Sequence, residues 1–273
     1  MWRVPKEIEA HYMRGGESER LSNEWGELEQ LRTQTILARH LPSAPAAILD
    51  IGGGAGAYAV PLAKQGYEVH LIDPVELHLE QARSYAEASG IKLASITQGD
   101  ASHLDFPECS ADAVLLLGPL YHLVERSERM QALLEARRIL KPRSVLFAAS
   151  ISRFASLIDG LSRGFFQDGE FRKIVEADLT HGLHRNPTDN PAYFTTAYFH
   201  RPEELAAEVG GAGFGDIQIL AIEGPAWSTA QFREVWSDAA QRRALLEYLS
   251  LIEGESSIQG ASAHVVAVAF RPN

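Results

Sequence analysis

Two kinds of block alternate along much of the chain. Short apolar runs at 46–51, 68–72, 92–97, 113–117 and 144–150 read as strands. Between them lie stretches with helical spacing: one after Gly56 that ends at Gly66, one over 75–89 that Gly90 closes, and one over 127–140 stopped by Pro142. Apolar runs that alternate with helices predict βαβ units and a parallel sheet covered on both faces. Ahead of the first run, Leu28, Leu31, Ala38 and Leu41 predict a helix over 27–41, which Pro42 and Pro45 stop.

After 151 the rhythm changes. Phe154, Leu157, Ile158, Leu161 and Phe165 predict an amphipathic helix, and Phe171, Ile174 and Val175 a second. Residues 180–200 are polar and aromatic. The α/β rhythm returns with a helix over 202–212 and strands over 216–222 and 264–270, around a helical stretch over 228–253. The expected organisation is an N-terminal helical segment over 1–45, a core over 46–151, a cap insertion over 152–200, and a return to the core over 201–273 with a helical insertion near 225–262. The two insertions are expected to fold together as a lid.

Composition narrows the partners. The chain has 273 residues, 45% of them hydrophobic, so it can bury a large core. The net charge of −11 and the scattered arginines give no basic stripe, which favours a small molecule over nucleic acid. No apolar run nears the roughly 18 residues that span a bilayer, and Met1 to Glu7 lacks a signal-peptide core. Cys109 is the single cysteine, so no internal disulfide framework is expected, and the cytoplasm is the expected location. The expected assembly is a monomer or homodimer.

The chemistry starts at Asp50-Ile51-Gly52-Gly53-Gly54-Ala55-Gly56, between the first strand and its helix. Such a turn lets a ligand approach bare backbone beside a helix N-terminus. Gly52, Gly54 and Ala57 fit the dinucleotide fingerprint; Gly52, Gly54 and Gly56 after Asp50 fit the turn of S-adenosylmethionine enzymes. The second strand ends at Asp73-Pro74, where an acid can hold ribose hydroxyls or cap the next helix. The third ends in Gly99-Asp100-Ala101, which suits an adenine amino group and has no role at a nicotinamide site.

Together with Ile48-Leu49, Val69-His70-Leu71-Ile72, Asp112 to Leu123 and Ile139-Leu140-Lys141-Pro142, these pieces resemble a class I S-adenosylmethionine-dependent methyltransferase of the small-molecule type. Where that family has two glycines, this chain has Arg143-Ser144. The resemblance implies a Rossmann-like, mostly parallel sheet of seven strands with helices on both faces, the last strand antiparallel, and a helical cap. It implies S-adenosyl-L-methionine as cofactor and methyl transfer to oxygen or nitrogen of a small-molecule acceptor. By position, Asp50, Gly52 and Gly54 would frame the amino-acid end of the cofactor, Asp73 and Pro74 the ribose, Asp100 and Ala101 the adenine, and Leu117 and Gly118 the floor near the methyl group. Tyr121 and His122 would face substrate, His122 as a base or as a packing residue. Tyr12 and Arg32 could reach the cofactor carboxylate.

Two other readings stand beside this one. An NAD(P)-dependent reductase lacks a Tyr-x-x-x-Lys pair here. A non-catalytic protein that binds the cofactor or its product would share the site. No metal site is expected. His181 and His184 could share a helix face, with Asp178 or Asp189 as third ligand and His200 nearby, but a plain lid role is the simpler reading. Arg153 or Arg185 could pair with a substrate carboxylate, and Tyr193, Phe194, Tyr198 and Phe199 could line an apolar pocket.

Overall fold

The computed structural model describes residues 5–13, 23–188 and 190–273. Its centre is one seven-stranded sheet of β1 (Ala47–Ile51), β2 (Glu68–Asp73), β3 (Ser95–Gln98), β4 (Ala111–Leu116), β5 (Leu140–Ile151), β6 (Gly215–Ala221) and β7 (His264–Phe270). The strand order is β3-β2-β1-β4-β5-β7-β6. Neighbours run parallel except at β7, which is antiparallel to both β5 and β6. The expected seven-stranded, mostly parallel sheet with its last strand reversed is the observed one.

The apolar runs are continuous because both faces are covered. Leu49, Ile51, Val114, Leu116, Leu146 and Ala148 point to one layer, with helices Arg126–Ile139 and Pro202–Gly211 against them. Ile48, Leu71, Ala113, Leu115, Val145 and Phe147 point to the other, under helices Glu24–His40, Ala59–Lys64 and Glu76–Ala88. This is the period of two that a pleated strand imposes. Arg143, where the family pattern has glycine, takes the left-handed conformation at φ 65°.

One feature departs from the expected organisation. The stretch over 228–253 is two helices, Phe232–Ser237 and Ala239–Ile252. The break falls at Asp238, whose carboxylate caps the second helix by accepting from the amides of Ala240 and Gln241. This insertion touches the helix Ala155–Arg163 of 152–200 through Gly224–Ser228, and it also packs Ala226, Phe232, Trp236 and Leu249 against Leu28 of the helix Glu24–His40.

Arg32 explains that docking and corrects its assignment to the cofactor. It lies on Glu24–His40, 1% exposed, and donates to the Ile222 carbonyl (3.1 Å), the Ser250 hydroxyl (2.6 Å) and the Glu253 carboxylate. Arg39 donates to the same carboxylate. A buried guanidinium with these three acceptors holds the insertion to the core, and Arg32 is not among the residues that line the ligand cleft.

Removing Arg32 leaves Glu253 paired with Arg39 and costs the hydrogen bonds of a buried charged group, about 1.5–3 kcal/mol. Arg32→Ala is therefore expected to lower unfolding stability by about 1.5–3 kcal/mol in urea titrations. A loss near the ~0.5 kcal/mol of a surface substitution would contradict the bridging role.

Candidate functional site

Strand order places the site. From β1 the sheet grows through β2 and β3 one way and through β4 and β5 the other. In open α/β sheets the crevice opens at such a reversal, beyond the strands' carboxyl ends. Here the β1 and β4 ends nearly touch. A Cβ on Gly118 would lie 3.1 Å from the Gly52 carbonyl oxygen, and one on Gly52, at φ 68°, would lie 2.6 Å from Pro119 Cγ. Only glycine fits at position 52.

The cleft beside this contact is lined by Gly52, Gly54, Asp73, Pro74, Asp100, Ala101, Gly118, Tyr121, His122 and Tyr12. Sequence reasoning singled out each of these, and the fold brings them together. Gly99, read as part of the third strand-end turn, lines the same cleft, as do Ile8, Val75, His78, Pro119 and Leu123, to which sequence reasoning gave no site role. Of these, His78 carries the most chemistry, and its position five residues after Asp73, one helical turn in, was the available signal. Leu117 lies outside the cleft and packs in the core on the β1–β2 side. Asp50 also lies outside it, one layer behind the glycine turn: a Cβ on Gly53 would sit 2.8 Å from Asp50 Oδ2.

The electrostatics of this corner are unusual. Asp50 is 1% exposed and neither carboxyl oxygen has a hydrogen-bond partner. Burial first, and the Asp73 charge second, push its pKa up to about 7, with the Ala59 amide pulling weakly the other way. Asp73 is well supplied. Its Oδ2 accepts from the Gly54 amide (2.9 Å), and its Oδ1 from the Val75 amide (2.9 Å) and His78 Nδ1 (3.0 Å). The helix-capping and ligand-facing readings of Asp73 therefore coexist. Nδ1 of His78 donates to this carboxylate, and its Nε2 is buried without a partner. Asp100 Oδ1 accepts from the Ser102 amide (2.8 Å) and hydroxyl.

The N-terminal helix Lys6–Tyr12 crosses this cleft. Tyr12 donates its hydroxyl to His122 Nε2 at 2.5 Å, while His122 Nδ1 points at the Thr196 carbonyl, 3.4 Å away. A carbonyl only accepts, so Nδ1 carries the ring proton and Nε2 is the basic nitrogen. The helix is also tied to the cap, where Glu7 accepts from the Thr196 hydroxyl at 3.0 Å. Burial, partly offset by the Thr196 carbonyl, pushes the His122 pKa down to about 4. The ring is neutral at pH 7.

The cap histidines do not form a metal set. The helix Gly169–His181 ends at Gly182, left-handed at φ 73°, so His181 and His184 do not share a helix face. His184 binds Asp178 Oδ2 (2.8 Å) and the Tyr193 carbonyl (2.7 Å); His200 is buried against the Ser150 hydroxyl (2.5 Å) and Glu208 (3.2 Å). Asp189 lies outside the described residues. Arg153 is spent on Glu204 (2.6 Å) and the Phe199 carbonyl (2.8 Å), and Arg185 is exposed near Glu7.

Residues 48–143 match the family model of a methyltransferase domain. Over 106 residues the chain is 33% identical to the ubiquinone biosynthesis O-methyltransferase of Methylocella silvestris, covering 39% of this chain and 40% of that protein. The chain thus spans about two fifths of the length of that relative. Among solved structures it is similar to a SAM-dependent methyltransferase of Thermotoga maritima (19% identity, TM-score 0.59, 97% of this chain and 99% of that one). It is also similar to the [4+2]-cyclase SpnF (18% identity, TM-score 0.56, 89% and 80%). At these identities the structures show the fold, and the cyclase shows that this fold hosts more than one reaction.

The lowered pKa of His122 makes a prediction with a definite sign. Between pH 6.5 and about 4 the folded protein binds fewer protons than the unfolded chain. This contribution is complete above pH 6.5 and is lost as the pH falls toward 4. Urea unfolding of the wild type should therefore weaken between pH 7.5 and 5 more than that of His122→Phe. Equal pH slopes in the two proteins would contradict the burial of a neutral ring.

Proposed function

We propose that this chain, whose residues 48–143 match a methyltransferase domain, is an S-adenosylmethionine-dependent methyltransferase acting on a small-molecule acceptor. The observation that carries the reading is the convergence of four strand ends on one cleft. Gly52 and Gly54 come from β1, Asp73 from β2, Asp100 and Ala101 from β3, and Gly118 from β4.

The residues fit the cofactor on their own chemistry. The glycine turn leaves backbone open to a ligand. The buried, unpartnered Nε2 of His78, on the cleft wall, is the kind of polar atom that a bound molecule completes. Asp73 with His78 would hold the ribose, and Asp100 with Ala101 the adenine. Asp50 would act from behind the turn on the amino-acid end. When bound, the cofactor supplies an activated methyl group on a sulfonium.

The protein's own part is placement, water exclusion and one proton. Gly52, Gly54, Asp73 and Asp100 would hold the cofactor so that an acceptor oxygen or nitrogen beside Tyr12 and Tyr121 could take the methyl group it would supply. The acceptor's proton passes to Tyr12 while Tyr12 gives its own to His122 Nε2. A ring with a pKa near 4 is too weak to strip an alcohol beforehand. It suits a proton made acidic by the arriving methyl group. A protein that holds the cofactor without turnover shares the cleft but needs no Tyr12–His122 relay.

Calorimetric titration with S-adenosylmethionine, S-adenosylhomocysteine and NADH tests the cofactor. Both adenosyl ligands are expected to bind and NADH to fail; the reverse order would reassign the turn to a dinucleotide. Asp73→Ala removes a charged acceptor worth about 1.5–3 kcal/mol per bond, so adenosyl affinity should fall about 10- to 100-fold. Unchanged affinity would remove Asp73 from the site.

A further inference from the structure

A second cavity, of about 450 Å³, adjoins the cleft and shares Tyr12 and Tyr121 with it. That volume is in the range of small-molecule sites. We infer that this cavity is the acceptor site and that it takes an uncharged, planar aromatic molecule. The inference rests on the methyltransferase reading, because it places the acceptor across Tyr12 and Tyr121 from the cofactor.

Shape is the first argument. Tyr121, Phe171, Tyr193, Phe194 and Phe199 supply most of the large walls, and Ile151, Ala155 and Pro191 are among the smaller apolar residues that line it. Phe194 is central among the rings, with centroids of His122, His11, Tyr121 and His184 between 5.4 and 6.4 Å away. At these distances the rings pack directly on one another, so the cavity wall they build offers an occupant aromatic faces and edges.

The backbone of Phe194 is the second argument. Its φ of 64° and ψ of −166° fall in a region almost reserved for glycine. The Asn186 side-chain amide holds the turn there, donating to the carbonyls of both Asn190 and Phe194 at 2.9 Å. A phenylalanine kept where glycine is the relaxed choice costs stability. Its ring meets the residues that separate the two cavities, which gives that cost a use.

Charge is the third. Among the described residues, Arg163 is the one arginine on the cavity wall, no lysine lines it, and Arg163 is paired with Asp159 at 3.4 Å. His184 is paired with Asp178 and His264 with Glu223. Arg153 and Arg185, the other candidates for a substrate carboxylate, are engaged elsewhere. An anion entering this aromatic cavity would lose its water and meet one guanidinium, half-exposed and already paired with the Asp159 carboxylate. A neutral ring loses little.

The test titrates the full chain with 2-naphthol, 2-naphthoate and 1-naphthylmethylamine, with S-adenosylhomocysteine saturating and its own binding measured first. Naphthol is expected to bind at least tenfold tighter than either charged probe. Phe194→Gly should lower naphthol affinity about tenfold, leave adenosyl affinity unchanged and not lower the thermal midpoint, because glycine relaxes the backbone. Phe194→Leu is the second variant and should weaken naphthol in the same direction. Naphthoate or the amine binding as tightly as naphthol would overturn the inference. So would undetectable naphthol binding to protein that holds S-adenosylhomocysteine, or naphthol affinity that neither variant changes. If S-adenosylhomocysteine itself fails to bind, the methyltransferase reading falls. The naphthol series without it still decides what the cavity accepts.

Discussion

The close approach of two strand ends governs the rest of this molecule. At the reversal of strand order, Gly52 after β1 and Gly118 after β4 come so near that neither accommodates a side chain without displacing the other's backbone or Pro119. That contact fixes the floor of the cleft. Everything chemically active is measured from it: the Asp73 carboxylate reaching Gly54, the Asp100 turn, and the short helix Pro119–His122 that carries Tyr121 and His122. A parallel sheet with both faces buried is rigid enough to hold these ends in register.

The roof depends on a different kind of bond. Segments distant in sequence are pinned by buried polar pairs. Arg129 is the clearest case: 2% exposed, it grips Glu208 with two hydrogen bonds (2.9 and 2.8 Å) and also donates to the carbonyls of Leu123 and Val124. Its guanidinium lies 3.9 Å from the Tyr198 ring. One side chain thus joins the loop after the active-site helix, the helix Pro202–Gly211 and the cap. Burial opposes ionisation of Glu208, yet the hydrogen bonds from His200 and Arg129 outweigh it and the pKa falls to about 2. Tyr12 and Glu7 do the same work at the other edge, tying the N-terminal helix to His122 and Thr196.

The sheet was legible in the sequence because its strands are short, apolar and bounded by glycine, proline or acid, so periodicity and punctuation agree. The strand-end residues were legible for the same reason: a glycine or acid directly after an apolar run has few structural roles. Arg32 was misplaced because sequence distance says nothing about which way a helix faces, and its partner Glu253 lies 221 residues on. His78 went unremarked because its meaning depends on Asp73 and on an unpartnered ring nitrogen, neither visible in a helical pattern. The break at Asp238 was hidden because apolar spacing continues across it. In the cap, the aromatic residues were visible as a group, but only three dimensions separate Phe194 and Phe199, which line a cavity, from Tyr198, which stacks under Arg129.

The central claim is that four strand ends and the N-terminal helix form one adenosyl site. Hydrogen–deuterium exchange with and without S-adenosylhomocysteine tests it most directly, because it reads each segment separately. The account predicts slowed exchange together in peptides covering 52–56, 73–78, 99–101 and 118–123, and in the helix 6–12. Slowing confined to other parts of the sheet, or none at these strand ends at a saturating ligand concentration, would contradict it.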